Sequence, residues 1–534
     1  MKFAIIGFVL IAAALQPFQA SAGAAPAYRV QFPTSCDAGV KEPFEEAVTF
    51  LHSFEYPKVY KAFEAISSAD PDCAMAYWGM AMSIWHPVWA PPSAVELAQG
   101  AAILARTDGL AVSPREAAYI EALKAFFSST DTGTHLARAR AYEARMSALA
   151  AAYRDDPEAA AFYSLALLAT ADPRDKTYAH QYKAAAQLNW VRQSQPEHPG
   201  AAHYLIHSFD YPGLAHLALD AATSYAVVAP NSTHAHHMPS HIFTRLGLWE
   251  ESLASNHNAV RSAVDFTRRN KLSGFYKEGV HGMDYLMYAM LQTARDDEAA
   301  ALLARLRKIG KTDNDNFFAV AYTYAAAPAR HALERRQWVE ARELALLPTD
   351  FPWENFVWAR AMHHFARGIG AARSGAVDQA RQEHGRILAL EGELPAETLP
   401  YLRESVAVQR EAVESWILHS TNKVDEALRL AAHAADREDA VDKHPVTPGE
   451  ILPARELYAD MLLESTAHEE ALAQYQLVLA GAPGRLNAML GAARAAGALG
   501  DPALAASYHA QIRAQTRPGD RHRRGLAEAW EAAP

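Results

Sequence analysis

Cysteine is nearly absent: the 534 residues contain two, Cys36 and Cys73. In an oxidising compartment a lone pair usually bridges, tying the N-terminal segment to the first helical repeat. A soft metal-ligand pair is the alternative. There is also no long run of Lys and Arg, and the formal net charge is −11. A nucleic-acid footprint needs clustered positive charge, so that function class is excluded, and Arg517–Arg524 reads as a solvated tail. No G-x-S-x-G elbow, Walker loop or C-x-x-C-H haem site occurs. Past the first residues, no uncharged apolar stretch has the length of a transmembrane helix.

The first residues are different. Lys2 supplies a positive charge, an apolar run follows from Phe3 to Leu15, and Ala20-Ser21-Ala22 offers a small-residue cleavage site. This pattern reads as a secretory signal peptide over 1–22, leaving a chain that starts near Gly23 and is periplasmic or secreted. An uncleaved anchor is the competing reading.

Half of the residues are hydrophobic and alanine is abundant, which favours helix and close helix–helix approach. Helical periodicity recurs at 113–127, 134–153, 157–170, 176–195, 279–309, 316–335, 355–373, 377–391 and 403–435, and nothing resembles a strand meander. Within 230–266 a helix ends at Leu246-Gly247, Trp249 follows, and small residues Ser252 and Ala259 sit where a second helix would pack. Pro199 and Pro230 frame two units, 199–232 and 233–266, each of 34 residues. Ala47, Phe50, Phe63 and Pro71 take equivalent places near the N-terminus, and two further units lie near 452–485 and 486–519.

On these positions the chain resembles the tetratricopeptide repeat (TPR) superfamily over most of its length. The segments HPGAAHYLIHSFDYP (198–212) and HMPSHIFTRLGLW (237–249) are similar to a group of exported bacterial TPR-type proteins, a narrower likeness that implies no mechanism. The superfamily resemblance implies an all-α superhelical solenoid with a concave groove that binds a peptide, a protein or a small molecule. The expected organisation is a segment over 23–39, TPR-like repeats over 40–266, degenerate helical repeats over 267–440, and a C-terminal TPR pair with a tail over 441–534. The loop 443–453, with Asp439, Asp442 and His444 at or beside it, reads first as an ordinary connection that could also fold over the groove.

Histidine supplies 24 residues, and seven of them fall between His203 and His241. His203 and His207 are positions 5 and 9 of one unit; His237 and His241 are positions 5 and 9 of the next. An H-x-x-x-H pair therefore recurs after one whole repeat, and residues four apart share a helix face. The TPR resemblance places positions 2, 5, 9, 12 and 13 on the groove, which adds His234 and Asp210. His52 and His86 share position 13, and His281 with Asp284 follows from the next unit. Such a set suits a transition metal, copper or zinc. Two arrangements are open: four ligands on one ion (Asp210 able to replace one histidine), or His203/His207 on one ion and His237/His241 on a second. The paired spacing resembles that of dinuclear copper oxidases, which implies a metal-dependent oxidoreductase. A zinc protease is excluded, because Tyr204 and Met238 stand where H-E-x-x-H needs its glutamate. The alternative function is a metal-free scaffold that binds a partner in the cell envelope.

Overall fold

The computed structural model describes residues 28–88, 91–230, 232–395, 398–516, 523 and 525–531. The expected signal peptide lies outside the described residues. Among the described residues the chain is helical with no strand, and the one isolated β-bridge pairs Phe275 with Thr312. No helix among them is long and apolar enough to cross a membrane.

The helices pair into antiparallel hairpins, and the hairpins stack side by side. The predicted units 199–232 and 233–266 contain the pairs Pro199–Phe209 with Leu219–Val228, and Thr233–His237 plus Pro239–Arg245 with Trp249–Arg269. Pro239 cannot donate to the helical ladder, and the first helix of the second unit divides at Met238. The C-terminal pair is Ala454–Glu464 with His468–Gly481, then Leu486–Ala498 with Pro502–Gln515. Cys36 and Cys73 are joined by a disulfide, with Cα atoms 4.6 Å apart.

One turn recurs inside these hairpins. Two residues past the first helix the backbone enters the left-handed region, and the next N–H bonds back five residues. Leu248 N–H reaches Phe243 O around Gly247, and Ala376 N–H reaches Ala371 O around Gly375. This is the Schellman closure, and glycine is its easiest residue. In this chain non-glycine residues also fill it. Ala294 (φ +56°) and Asn422 (φ +61°) are two of them. For that reason the predicted single helices over 279–309 and 403–435 are each two: Lys277–Gln292 with Asp296–Arg307, and Pro400–Ser420 with Val424–Asp439. Phe54 (φ +55°) closes the first hairpin in the same way, with Glu55 N–H on Phe50 O.

The buried apolar side chains form successive cores rather than one. The first runs from Val30 to Phe243, the second from Trp249 to Met461, and a third gathers residues 459–529 around Ala294. The histidine-bearing helices lie where the first core meets the second. The loop 440–453 does more than connect. Asp442 N–H bonds Pro173 O and its carboxylate pairs with Lys176. Lys443 Nζ lies 3.1 Å from Asp210, and Tyr322 Oη–H donates to Thr447 Oγ1 at 2.7 Å. The loop thus crosses the groove from the early repeats to the central ones.

Candidate metal centre

Six histidines meet at this junction in two groups of three. His203, His207 and His234 form one, from the helices Pro199–Phe209 and Thr233–His237. His237, His241 and His281 form the other, from Thr233–His237, Pro239–Arg245 and Lys277–Gln292. Within each group one nitrogen of every ring lies within 4.8 Å of the others. The groups abut: ring centroids of His207 and His241 are 6.1 Å apart, and those of His234 and His237 are 6.3 Å apart. All six rings are buried, whereas an open groove would expose them. Phe54 sits 4.4 Å from His203, Tyr225 stacks on the same ring at 5.1 Å, and Tyr285 lies 4.7 Å from both His237 and His241. The loop above them completes the cover, since Tyr285 Oη–H donates to the carbonyls of Pro445 and Thr447.

In His203, His237 and His241 the hydrogen bonds fix which nitrogen carries the proton. A neutral imidazole has one N–H and one lone pair. His241 commits Nδ1–H to Asp210 Oδ2 at 2.9 Å. His237 commits Nδ1–H to Asn256 Oδ1 at 2.7 Å, and that amide is oriented by its own N–H on Ser252 O. The Nε2 atoms of His237 and His241 are then bare lone pairs, and they face each other at 3.0 Å. Burial is the main force holding both rings below their ordinary pKa: His237 far below, and His241 to about 4 in spite of Asp210. No proton bridges them at neutral pH. Two nitrogens on one ion at roughly 2.0–2.1 Å, with an angle a little under tetrahedral, stand about 3.0–3.2 Å apart. A cation between them would resolve the contact. His281 adds a third ring, 4.3 Å from His237 by centroids; burial pushes it to about 3, and its Nδ1 has no hydrogen-bond partner.

The first group is built likewise. His203 Nδ1–H donates to the carbonyl of His52 at 2.7 Å, so its Nε2 is a lone pair. The Nε2 atoms of His207 and His234 converge on it at 3.1 and 3.0 Å. Burial, then the neighbouring rings, hold His203 and His207 well below the usual imidazole range. Glu278 places a carboxylate oxygen 3.7 Å from His234 Nδ1.

Several residues expected as ligands stand elsewhere. Asp210 is shared among His241, Arg245 and Lys443, so it orients a ligand instead of being one. Asp284 turns away to pair with the buried Arg330 at 3.3 Å. His86 follows the end of its helix and stacks on Tyr56 at 4.3 Å, too far round to join either group. His52 contributes its carbonyl, while its ring joins a third cluster with Glu158 and His198. There Glu158 accepts His52 Nε2–H at 2.7 Å and His198 Nε2–H at 2.9 Å. His52 Nδ1 accepts the Tyr204 hydroxyl proton, and His198 Nδ1 accepts Ala201 N–H. Every imidazole lone pair and N–H in this cluster is matched, so neither ring has a vacant donor for an ion. Gly200 makes room for it: a Cβ there would stand 2.4 Å from His52 Nδ1.

Asn256, Glu278, Tyr285 and Lys443 carry no motif and were not singled out in the sequence. The signal that could have found Asn256 is its place on the second helix of the unit holding His237.

No protein-family model and no curated protein sequence matches the chain. Among solved structures it is similar to human IFIT1, solved as a dimer with m7Gppp-AAAA, at 11% identity and TM-score 0.38, covering 82% of this chain and 89% of that one. The yeast Tom70 structure matches at 12% identity and TM-score 0.29, covering 92% and 88%. The P58(IPK) TPR domain matches at 14% and 0.20, covering 70% and 98%. The chain's own helix order and stacked hairpins make it an all-α helical-repeat solenoid.

Proposed function

We propose that the chain is an exported TPR-type metalloprotein whose two histidine triads hold two adjacent transition-metal ions, copper or zinc, and that in its copper form it is an oxidoreductase. The observation that carries the reading is the lone-pair contact between His237 Nε2 and His241 Nε2 at 3.0 Å, with both protons committed elsewhere. All-imidazole donor sets suit copper and zinc, and three protein ligands per ion leave a position open for a further ligand. Copper so held would supply redox chemistry and zinc a Lewis acid. The protein's own part is definite. Asp210, Asn256 and the carbonyl of His52 set the tautomers, and Phe54, Tyr225 and Tyr285 keep water from the rings.

Elemental analysis of untagged protein tests this. The expected result is about two ions per folded chain, falling to about one in His237→Ala/His241→Ala. Substoichiometric metal that this variant leaves unchanged would overturn the reading. The helical scaffold is also consistent with binding a peptide or protein partner in the cell envelope; capture that persists after chelation supports that role.

A further inference from the structure

One edge of the solenoid is basic, although the chain as a whole has a formal net charge of −11. The helices Trp249–Arg269 and Asp296–Arg307 are the second helices of neighbouring hairpins. The loops that follow them meet: Phe275 N–H donates to Lys311 O at 2.9 Å, and Asp313 N–H donates to Phe275 O at 3.0 Å. Six exposed cations gather at these two ends. Arg268, Arg269 and Lys271 come from the first, and Arg307, Lys308 and Lys311 from the second.

The acidic groups of these loops are tied inward. Asp313 accepts Lys277 N–H at 2.7 Å, and Asp315 accepts both the N–H and the hydroxyl of Thr312 at 2.7 Å. Asp265 is the exception, paired with Arg268 at 3.0 Å on the surface. Among the described residues the other five cations stand in no ion pair. A helix dipole attracts a cation to the last turn, which accounts for Arg268, Arg269 and Arg307. It does not account for Lys271, Lys308 and Lys311, which lie past the helix ends. Leu272, Phe275 and Ile309, on the same two loops, are only half-buried.

We propose that this edge docks the chain on an anionic phospholipid surface. Six separate, unscreened cations on an open rim suit many small headgroups rather than one enclosed ligand, and each Lys or Arg near such a surface adds to the attraction. The half-buried apolar side chains between them are placed to enter the interface. The band is also bounded. The far end of the second helix begins Asp296-Asp297-Glu298, so a long polyanion running along that helix would meet an acidic turn. A flat surface touches the edge alone. Docking does not depend on the histidine centre, so chelated and untreated protein give the same answer.

The test is co-sedimentation of the full chain with vesicles of phosphatidylcholine alone and of phosphatidylcholine with one-third phosphatidylglycerol. Binding to the anionic vesicles is expected to exceed binding to the neutral ones, and the excess should vanish as salt is raised. Arg268→Ser/Arg269→Ser/Lys271→Ser and Arg307→Ser/Lys308→Ser/Lys311→Ser should each weaken it by about 100-fold, at unchanged circular dichroism. Arg140→Ser/Arg145→Ser/Arg154→Ser removes the same charge from exposed positions elsewhere and should leave it nearly unchanged. Asp265→Asn should tighten it, which keeps the test decisive if a loss variant misfolds. Equal binding to neutral and anionic vesicles, equal loss in the Arg140/Arg145/Arg154 variant, or capture of an oligonucleotide or polyglutamate without anionic vesicles would overturn the proposal.

Discussion

Two buried histidine clusters, one around Glu158 and one around His237 and His241, balance their protons in opposite ways. Around Glu158, every imidazole N–H meets an oxygen and every imidazole lone pair meets a donor. Around His237 and His241, both N–H groups are drawn outward by Asn256 and Asp210, and two lone pairs are left face to face. Proximity of histidines is the same in both. What separates a finished network from a site awaiting a cation is the outer partner. A carboxylate at the centre consumes protons, whereas carboxylate and amide groups at the rim turn the lone pairs inward.

The comparison can be broken most forcefully at Glu158. Glu158→Leu strands the N–H groups of His52 and His198, and should cost about 3–5 kcal/mol in urea unfolding while leaving metal content per folded chain unchanged. A loss of metal in that variant would merge the two clusters into one. Next in size is Asp210→Asn. His241 then loses its carboxylate partner, and competitive metal titration should show one of two sites weakened by about 10- to 100-fold with the other unaffected. Equal weakening of both sites would deny that the triads are separate.

Glu158→Gln is a milder probe, with about 1–3 kcal/mol expected, because the amide offers an N–H where an acceptor is needed. Its pH dependence has a defined sign. Burial alone would raise the Glu158 carboxyl, but His52 and His198 hold it far below the usual range. A depressed acid stabilises the fold above its unfolded value and loses that contribution as pH falls. The stability gap between the natural chain and Glu158→Gln should therefore be constant from about pH 6 to 8 and shrink below about pH 4.5. A gap that widens in acid would reverse the assignment. The smallest effect on metal is expected from His52→Gln. Its backbone carbonyl still accepts His203 Nδ1–H, so elemental analysis should still return the full ion count.

Sequence reading reached the candidate site unevenly. The one-repeat recurrence of His203/His207 and His237/His241 was visible because a helical repeat copies a face. His234 and His281 were visible as neighbours, but not as the third member of each group. That depends on how far the helix Lys277–Gln292 leans across the junction, which spacing does not encode. Glu158 has no repeat partner and was invisible, and His198 was read only as the start of the 198–212 segment. The fold was legible wherever glycine or proline marks a turn. It was blurred at 293–295 and 421–423, where Ala294 and Asn422 adopt a left-handed conformation that composition does not announce.

The loop 440–453 changes what kind of object the solenoid is. A stack of repeats is ordinarily elastic, since each unit touches only its neighbours and can peel away by itself. Here Asp442 and Lys443 grip the repeats around Pro173, Lys176 and Asp210, while Thr447 and Gly449 are held by Tyr322 and Arg330 from the middle of the stack. The spring is latched. Stretching any turn between these anchors strains the latch as well, so the histidine junction inside it opens with the whole span or not at all.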